Sequence, residues 1–142
     1  MIKSSISFVS VALIVILSVI SVHSADKASQ PKPDLSLRKF KIDPKNPKRG
    51  DWVTMSVQVF NNGSAPSAPC QAAIRINDES DPPMYALPKL DPEEAFTITR
   101  EQKLNELGRY KVTFIADYYK TVDEHKETNN AQYVRFMVKE KQ

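Results

Sequence analysis

The sequence predicts an all-β protein, an antiparallel β-sandwich of about seven strands, from three observations. Apolar and polar residues alternate along short stretches that recur roughly every ten residues, with Pro, Asn, Ser and Gly at the turns between them. No stretch has a convincing amphipathic helical period. Pro88 lies within one stretch and marks an edge strand, because proline cannot donate to a central ladder. An open edge favours a sandwich over the alternative, a small closed barrel.

The first two predicted strands lie on either side of a proline-containing turn. Residues 34–42 alternate only if one residue is skipped between Leu37 and Phe40, which predicts a bulge or a strand that changes sheets. A turn with two prolines and Gly50 follows. The stretch WVTMSVQVF then alternates without error and is the clearest strand. Its predicted inward residues are Val53, Met55, Val57 and Val59.

The remaining stretches continue this alternation to the end of the domain. CQAAIRIN is a strand, MYALPKL is the short edge strand, AFTITRE is the next strand, and QKLNELG is predicted to be a turn that ends at Gly108. RYKVTFIADYY and AQYVRFMV supply the last two strands. The side chains predicted to point inward from all of these are Cys70, Ala72, Ile74, Ile76, Phe96, Ile98, Tyr110, Val112, Phe114, Ala116, Val134, Phe136 and Val138.

The N-terminal segment has the layout of a cleaved secretory signal. Lys3 precedes an apolar stretch, and Val22 and Ser24 occupy the small-residue positions before a predicted cleavage site. The alternative is a retained membrane anchor, which the serines within the apolar stretch make less favourable. The protein is therefore expected to be secreted, or periplasmic and part of the cell envelope. The predicted division is a signal peptide at 1–24, a linker at 25–33 and the domain at 34–139.

Charge and cysteine content narrow the class of protein. The 20 Lys and Arg residues nearly balance the 17 Asp and Glu residues, for a net charge of +3, which does not indicate a nucleic-acid partner. Cys70 is the only cysteine, so no internal disulfide stabilises the domain and its apolar core must suffice. The position of Cys70 in an alternating stretch indicates a small buried apolar residue.

Three stretches carry a resemblance to a known family. They are PDLSLRKFKIDPKNPKRGD, WVTMSVQVFNNGSAPS and LGRYKVTFIADYYKTVDEHKETNNA. With the final strand, over about residues 33–138, they resemble the CARDB family, the cell-adhesion-related domains of bacteria and archaea. The most specific part runs from Gly108 and Tyr110 through Asp117 and Glu124 to ETNN at residues 127–130. The resemblance implies an immunoglobulin-like sandwich on an exported protein, and little chemistry.

The polar stretch DYYKTVDEHKETNNA, between the last two strands, has two interpretations. It is a turn if the short polar side chains of Asp117, Asn129 and Asn130 bond the local backbone and tolerate left-handed conformations. Tyr110, early in the preceding strand, is a candidate for a tyrosine corner. The stretch is a calcium site if its oxygens converge. The calcium candidates are Asp117, Asp123, Glu124, Glu127 and Asn129. The acids lack the regular spacing of a calcium loop, and Lys120 and Lys126 interrupt them, so the turn is favoured and no cofactor is expected.

No catalytic motif is found in the sequence. It contains no G-x-S-x-G, H-E-x-x-H, C-x-x-C or phosphate loop. His125 lies in the polar stretch, far in sequence from Cys70, which itself is predicted to be buried. Neighbouring carboxylates such as Glu93 and Glu94 point to opposite faces of a strand or into water. We therefore do not expect an enzyme.

Aromatic residues predicted at the surface are the better functional candidates. Tyr118 and Tyr119 are consecutive, Tyr85 is on the edge strand, and Trp52 is out of phase with Val53. We predict an exported, non-catalytic binding or interaction module whose partner is a protein or a glycan at the cell surface, with adhesion as one option. A carbohydrate-binding module with a flat row of these aromatics is the alternative, and an unrecognised enzyme is the third hypothesis.

Overall fold

A computed structural model describes residues 30–142, which form seven β-strands. The predicted signal peptide and most of the predicted linker lie outside the described residues. Between residues 30 and 142 no helix is long and apolar enough to span a membrane. The strands are β1 (Leu35–Asp43), β2 (Asp51–Asn61), β3 (Cys70–Ile76), β4 (Met84–Leu87), β5 (Ala95–Leu104), β6 (Gly108–Ile115) and β7 (Ala131–Val138).

The strands form two sheets in which all neighbours are antiparallel. The first sheet has three strands in the order β1-β2-β5, and the second has four in the order β4-β3-β6-β7. The inward side chains of both sheets form one apolar core. The predicted antiparallel β-sandwich is therefore confirmed.

The core follows the alternation predicted from the sequence. β2 is the central strand of its sheet, and its four inward side chains are fully buried, with an exposed fraction of 0% for each of Val53, Met55, Val57 and Val59. From the other sheet, Ile74, Val112 and Phe114 are equally buried. Cys70 is a free, buried cysteine of the same core, and burial raises the pKa of its thiol to about 11.

The irregularity predicted in the first strand is a bulge. The pairing of β1 with β2 shifts register between Arg38 and Lys41, and Lys39 adopts a positive φ of 54°. The extra residue returns the following side chains to the inner face, where the ring of Phe40 lies 5.2 Å from the ring of Phe114. The bulge thus keeps one long strand in contact with the core over its whole length.

β5 differs from the prediction in two ways. It runs to Leu104, which is buried, so the predicted turn from Gln102 to Gly108 begins later than expected. The reason is that β5 pairs with β2 along its entire length, as far as Asp51 opposite Leu104. Phe96 is in the inward phase but is 38% exposed, whereas Ile98 and Leu104 of the same strand are buried. Phe96 is the second residue of this edge strand, where the core covers less of the side chain.

The predicted short edge strand is confirmed as β4, which pairs only with β3 and is followed directly by Pro88.

An ion pair that was not predicted from the sequence connects the two sheets. Arg100 of β5 donates from Nη1 to the Ile74 carbonyl at 2.8 Å and to Glu79 Oε2 at 2.6 Å, and from Nη2 to Glu79 Oε1 at 3.0 Å. These hydrogen bonds hold the pKa of Glu79 below its usual range.

Candidate functional site

The polar loop between β6 and β7 begins with a buried carboxylate that organises the loop itself. Asp117 is 2% exposed and has a positive φ of 40°. Its Oδ1 accepts hydrogen bonds from the backbone N–H and the hydroxyl of Thr121, both at 3.0 Å, and its Oδ2 accepts one from the Val122 N–H at 2.8 Å. Three donors thus occupy the carboxylate, which makes it a turn-forming residue.

Glu124, in the middle of the loop, ties the loop to the start of the first strand. Its Oε2 accepts from the backbone N–H of Leu35 and its Oε1 accepts from Nδ2 of Asn130, both at 2.5 Å. The residue is 4% exposed. Burial raises the pKa of Glu124 to about 7, although the two hydrogen bonds favour the ionised form.

The two asparagines have other partners than those predicted. Asn129 Nδ2 donates to Asp34 Oδ1 at 2.7 Å, and Asn130 Nδ2 donates to Glu124. Neither side chain bonds the local backbone of the turn, so that expectation is wrong for Asn129 and Asn130, whereas Asp117 does bond the backbone of its own loop. The N-terminal entry to β1 packs against this loop and brings the buried Asp34 within reach of Asn129. Asn129 therefore connects distant parts of the chain, whereas Asn130 connects two positions of the loop itself.

The five calcium candidates have different hydrogen-bond and ion-pair partners. Asp117 bonds its own loop, Asp123 forms an exposed ion pair with Lys32 at 2.7 Å, and Glu127 Oε1 accepts from the Glu124 N–H at 3.0 Å. In the described part of the chain, no three His, Cys, Asp or Glu residues are arranged to hold a metal ion. The geometry therefore does not bring these oxygens together as ligands.

Asn61 is a second buried polar centre beside this loop, and the sequence analysis did not identify it. It is 0% exposed at the end of β2. Its Oδ1 accepts from the N–H groups of Asp34 and Gly63, and its Nδ2 donates to the carbonyls of Ala65 and Leu90. A signal existed, because Asn61 continues the inward phase of Val57 and Val59, where a polar residue requires partners.

Tyr110, at the start of β6, is 8% exposed and lies at the opposite end of the strand from the polar loop. Its hydroxyl donates to the Glu106 carbonyl at 3.2 Å, which is the geometry of a tyrosine corner. The ring stacks on Phe136 of β7 with centroids 5.7 Å apart. The hydrogen bond fixes the turn between β5 and β6, and the stacking holds the Tyr110 ring against β7.

The buried Glu124 predicts a pH dependence of stability. Its pKa rises from 4.5 to about 7 on folding, so the folded state binds more protons between these values. The associated stability is complete below pH 4.5 and is lost as pH rises through about 7, by roughly 3 kcal/mol at most. Urea unfolding measured from pH 4.5 to pH 8 should show this decline. Asp51 and Glu79 do not mask it, because their lowered pKa values place their effect at lower pH.

Glu124→Gln is the matched control for this prediction. The neutral amide can accept from Leu35, and Asn130 can rotate so that its Oδ1, which is buried without a partner among the described residues, accepts from the new amide. The variant should be more stable than wild type at pH 8 and should lose most of the decline. An unchanged decline in Glu124→Gln would assign the effect to another group.

The asparagine contacts predict a loss of thermal stability. Converting Asn129 and Asn130 together to alanine removes two hydrogen bonds, worth about 0.5–1.5 kcal/mol each, and should lower the melting temperature by roughly 4–12 °C. Asn105→Ala, in the exposed turn between β5 and β6, should lower it by less than about 2 °C.

The same melts test the calcium hypothesis, for which we expect no effect of the ion. The wild-type melting temperature should be equal in millimolar calcium and in chelator, and the fall caused by the asparagine substitutions should be equal too. A calcium-dependent rise that Asp123→Asn with Glu124→Gln erases would instead establish a binding site in this loop.

The four aromatic candidates do not form one surface. Trp52, 66% exposed, is near the start of β2 in the three-stranded sheet, whereas Tyr118 and Tyr119 follow the end of β6 in the other sheet. Tyr118 is half-buried and contacts Tyr119, which is 61% exposed and lines a shallow groove of about 390 Å³ beside β3 and β4. Tyr85 is opposite the buried Ala72 and packs against the core. The predicted flat row is absent among these described residues.

A different surface combines an exposed aromatic with charge. We call it the basic face, the outward side of β3, β6 and β7 that carries Arg75, Arg109, Lys111, Tyr133 and Arg135. The pairing places Arg75, Thr113 and Tyr133 in one row across the three strands. Lys111 is opposite Arg135 in the next row, and Arg109 is opposite Met137 in the row after it.

Tyr133 lies among the cations of the basic face. It is 52% exposed, with Lys111 Nζ 4.9 Å and Arg135 Cζ 4.4 Å from the centroid of its ring. Arg135 Nη1 also donates to the Tyr133 hydroxyl at 3.3 Å. Tyr133 was not among the functional residues predicted from the sequence, although it is out of phase with the inward Val134 and Phe136 and is therefore expected to point outward.

The two sheets, the strand order and the tyrosine corner define an immunoglobulin-like β-sandwich module. The chain belongs to the CARDB family, whose family model matches residues 32–134. The resemblance inferred from the sequence is thereby confirmed. The family is one of adhesion-related, immunoglobulin-like modules. A search of curated proteins finds no significant match to this chain.

Solved structures agree with this fold. A crystal structure of a CARDB domain from Pyrococcus furiosus, in complex with di-metal ions, is 22% identical, with 78% of this chain and 96% of that chain covered and a TM-score of 0.67. A solution structure of the same domain is 24% identical, with 76% and 96% covered and a TM-score of 0.65. A β-glucosidase from Erythrobacter marinus matches at 16% identity and a TM-score of 0.54 over only 15% of its length. These likenesses show the fold alone.

Proposed function

We propose that the protein is an exported, non-catalytic binding module of the cell envelope or extracellular space, and that it binds its partner through the basic face. The observation that carries the proposal is the exposed Tyr133 ring set between the cations of Lys111 and Arg135 on an open sheet. An exposed aromatic ring beside cations is typical of interaction surfaces, in which Tyr and Arg supply much of the binding energy.

The other reactive groups support a role without catalysis. The Cys70 thiol is buried, and its raised pKa keeps it protonated at neutral pH, so it is a poor nucleophile. Asp117 and Glu124 are buried and hydrogen-bonded to the backbone of their own domain. Each of these groups has a sufficient structural role in the sandwich.

Export rests on the N-terminal sequence, with its basic residue, apolar stretch and small residues before Ala25. Mass spectrometry of the protein recovered outside the cytoplasm should give an N-terminus at Ala25. Recovery of a membrane-bound form that retains Met1 would show that the N-terminal segment is a membrane anchor and not a cleaved signal peptide.

The binding surface is tested by site-specific photo-crosslinking in cells. A photoreactive phenylalanine analogue at position 133 should give crosslinked products from the envelope. The same analogue at Thr99, exposed on the outer face of the three-stranded sheet, is the control and should give few. Equal products from both positions, or none from position 133, would contradict the proposed surface.

A carbohydrate-binding role for the opposite face is the second candidate, and Trp52 favours it. This ring is 66% exposed on a strand whose other outward residues include Thr54, Ser56 and Gln58, which suit a neutral glycan. Tyr85, Tyr118 and Tyr119 are too far apart along the fold to extend this surface as one row. A glycan array with wild type and Trp52→Ala tests it, because only loss of a neutral-glycan signal in the variant supports this candidate.

A further inference from the structure

We propose that the partner of the basic face is an acidic polysaccharide whose charge comes from uronate carboxylates. This inference rests on the proposed function, in which the basic face is the binding surface, and it adds the chemical class of the ligand. Three features carry it: the sign of the charge, the arrangement of the cations along the sheet, and the single exposed aromatic ring among them.

The charge of the four-stranded sheet has one sign. Strands β3, β4, β6 and β7 contain Arg75, Arg109, Lys111 and Arg135 but no Asp or Glu. None of these four cations forms an ion pair with a carboxylate anywhere in residues 30–142, whereas Lys41 of β1 pairs with Asp43 and Arg100 of β5 pairs with Glu79. Guanidinium groups that form no ion pair can bind an anionic group in a bidentate manner, as they bind carboxylates and phosphates. The complementary ligand is therefore an anion.

The arrangement of the cations indicates an extended ligand. Arg109 and Lys111 are two residues apart on one strand, so their Cα atoms are about 6.5 Å apart. Arg135 is opposite Lys111 on the neighbouring strand, whose backbone is about 5 Å away. The groups thus lie on an open sheet, and they do not converge as the ligands of one small ion do. A polymer with charges repeated along its length can contact several of them at once.

The exposed ring of Tyr133 favours a polysaccharide over the other polyanions that could bind such a basic surface. Its ring is 52% exposed and carries a hydroxyl group, so a sugar unit that packs on the uncovered part of the ring lies beside the cations of Lys111 and Arg135. Single-stranded nucleic acid is bound by several aromatic residues on which successive bases stack, and Tyr133 is the one aromatic residue among the outward positions of β3, β6 and β7. An anionic membrane is matched by apolar side chains that enter the lipid, and Met137, 40% exposed, is the main candidate here.

Binding of the purified protein to four probes tests the ligand class. The probes are polygalacturonate, the neutral polysaccharide dextran, inorganic polyphosphate, and vesicles of phosphatidylcholine with phosphatidylglycerol. We expect binding to polygalacturonate that weakens with added salt, no binding to dextran, and weaker binding to polyphosphate and to vesicles. Failure to bind polygalacturonate, or tighter binding to dextran, polyphosphate or vesicles, would overturn the proposal.

Two double variants with equal loss of charge test the site. Lys111→Ser with Arg135→Ser should weaken polygalacturonate binding at least tenfold. Adding Tyr133→Ser to this double variant should weaken the binding further. The control is Lys41→Ser with Lys103→Ser, both exposed on the three-stranded sheet, and it should stay within threefold of wild type. All of these positions point outward, so thermal melts should confirm that each variant folds. Equal weakening by the two double variants would mean that only net charge matters and would overturn the proposal.

The crosslinking experiment tests the binding surface independently of the ligand class. Crosslinks from position 133 without polygalacturonate binding would retain the surface and reject a uronate ligand. Absence of both would reject the proposed surface together with its ligand.

Discussion

Val57→Asp is expected to abolish folding, or nearly so. Val57 lies at the centre of the middle strand of its sheet, is 0% exposed and pairs with Ile98 of β5. Its aspartate replacement puts a carboxylate without a partner among the apolar side chains of both sheets. That costs several kcal/mol, whereas a domain of this kind has a total stability of only about 5–15 kcal/mol. Circular dichroism and urea unfolding measure the effect directly.

Gln58→Asp is the matched control, since it introduces the same charge one residue away on the outer face. Gln58 Oε1 accepts from Arg38 Nε at 3.0 Å, so the new carboxylate lies near a cation and water. Its free energy of unfolding should change by less than about 1 kcal/mol. Val57→Ala, which leaves a small cavity and no charge, should cost about 2 kcal/mol and remain folded. Equal losses in the two aspartate variants would show that the register of β2 is wrong.

Asn61→Ala is expected to have the second-largest effect, a loss of about 3–5 kcal/mol. The substitution leaves two N–H groups, those of Asp34 and Gly63, and two carbonyls, those of Ala65 and Leu90, without their side-chain partner. A buried group left unpaired costs about 1–3 kcal/mol. The Asp34 N–H contributes most, because the Leu90 carbonyl keeps the Ser67 N–H as a second donor at 2.9 Å and the hydrogen bonds to Gly63 and Ala65 are only partly buried. The residue is 0% exposed, so water cannot readily replace the amide. Urea unfolding at neutral pH gives the loss.

Asn62→Ala and Asn61→Asp separate hydrogen bonding from other causes. Asn62 is the exposed neighbour, and its replacement should cost less than about 0.5 kcal/mol. Asn61→Asp keeps the shape of the side chain but places an ionised carboxylate next to the carbonyl oxygens of Ala65 and Leu90, to which it cannot donate. It should be about as destabilising as alanine at neutral pH, and acidification that protonates the carboxyl should recover part of the loss. If Asn61→Ala behaved like Asn62→Ala, the four hydrogen bonds would contribute little to stability.

What the sequence determined by itself was local. Alternation with a period of two residues assigned the inward face of β2, β3 and β6, because successive side chains of a strand point to opposite sides. The skipped residue before Phe40 predicted the bulge, and Pro88 predicted the edge strand. The resemblance to CARDB domains predicted the immunoglobulin-like class. The faces of the strands, the bulge and the edge strand needed only a few neighbouring residues. The class needed the pattern of the whole domain.

What only the tertiary structure decided was which distant residues meet. Glu124 contacts Leu35 across 89 positions, and Asn129 contacts Asp34 across 95, so neither partner can be identified from the sequence of the loop. The basic face likewise depends on strand order, because β3, β6 and β7 are adjacent in the sheet although β4 and β5 lie between them in sequence. Periodicity sets the side of a strand to which a residue points, but strand pairing sets its neighbours, and pairing is decided by the packing of the whole chain.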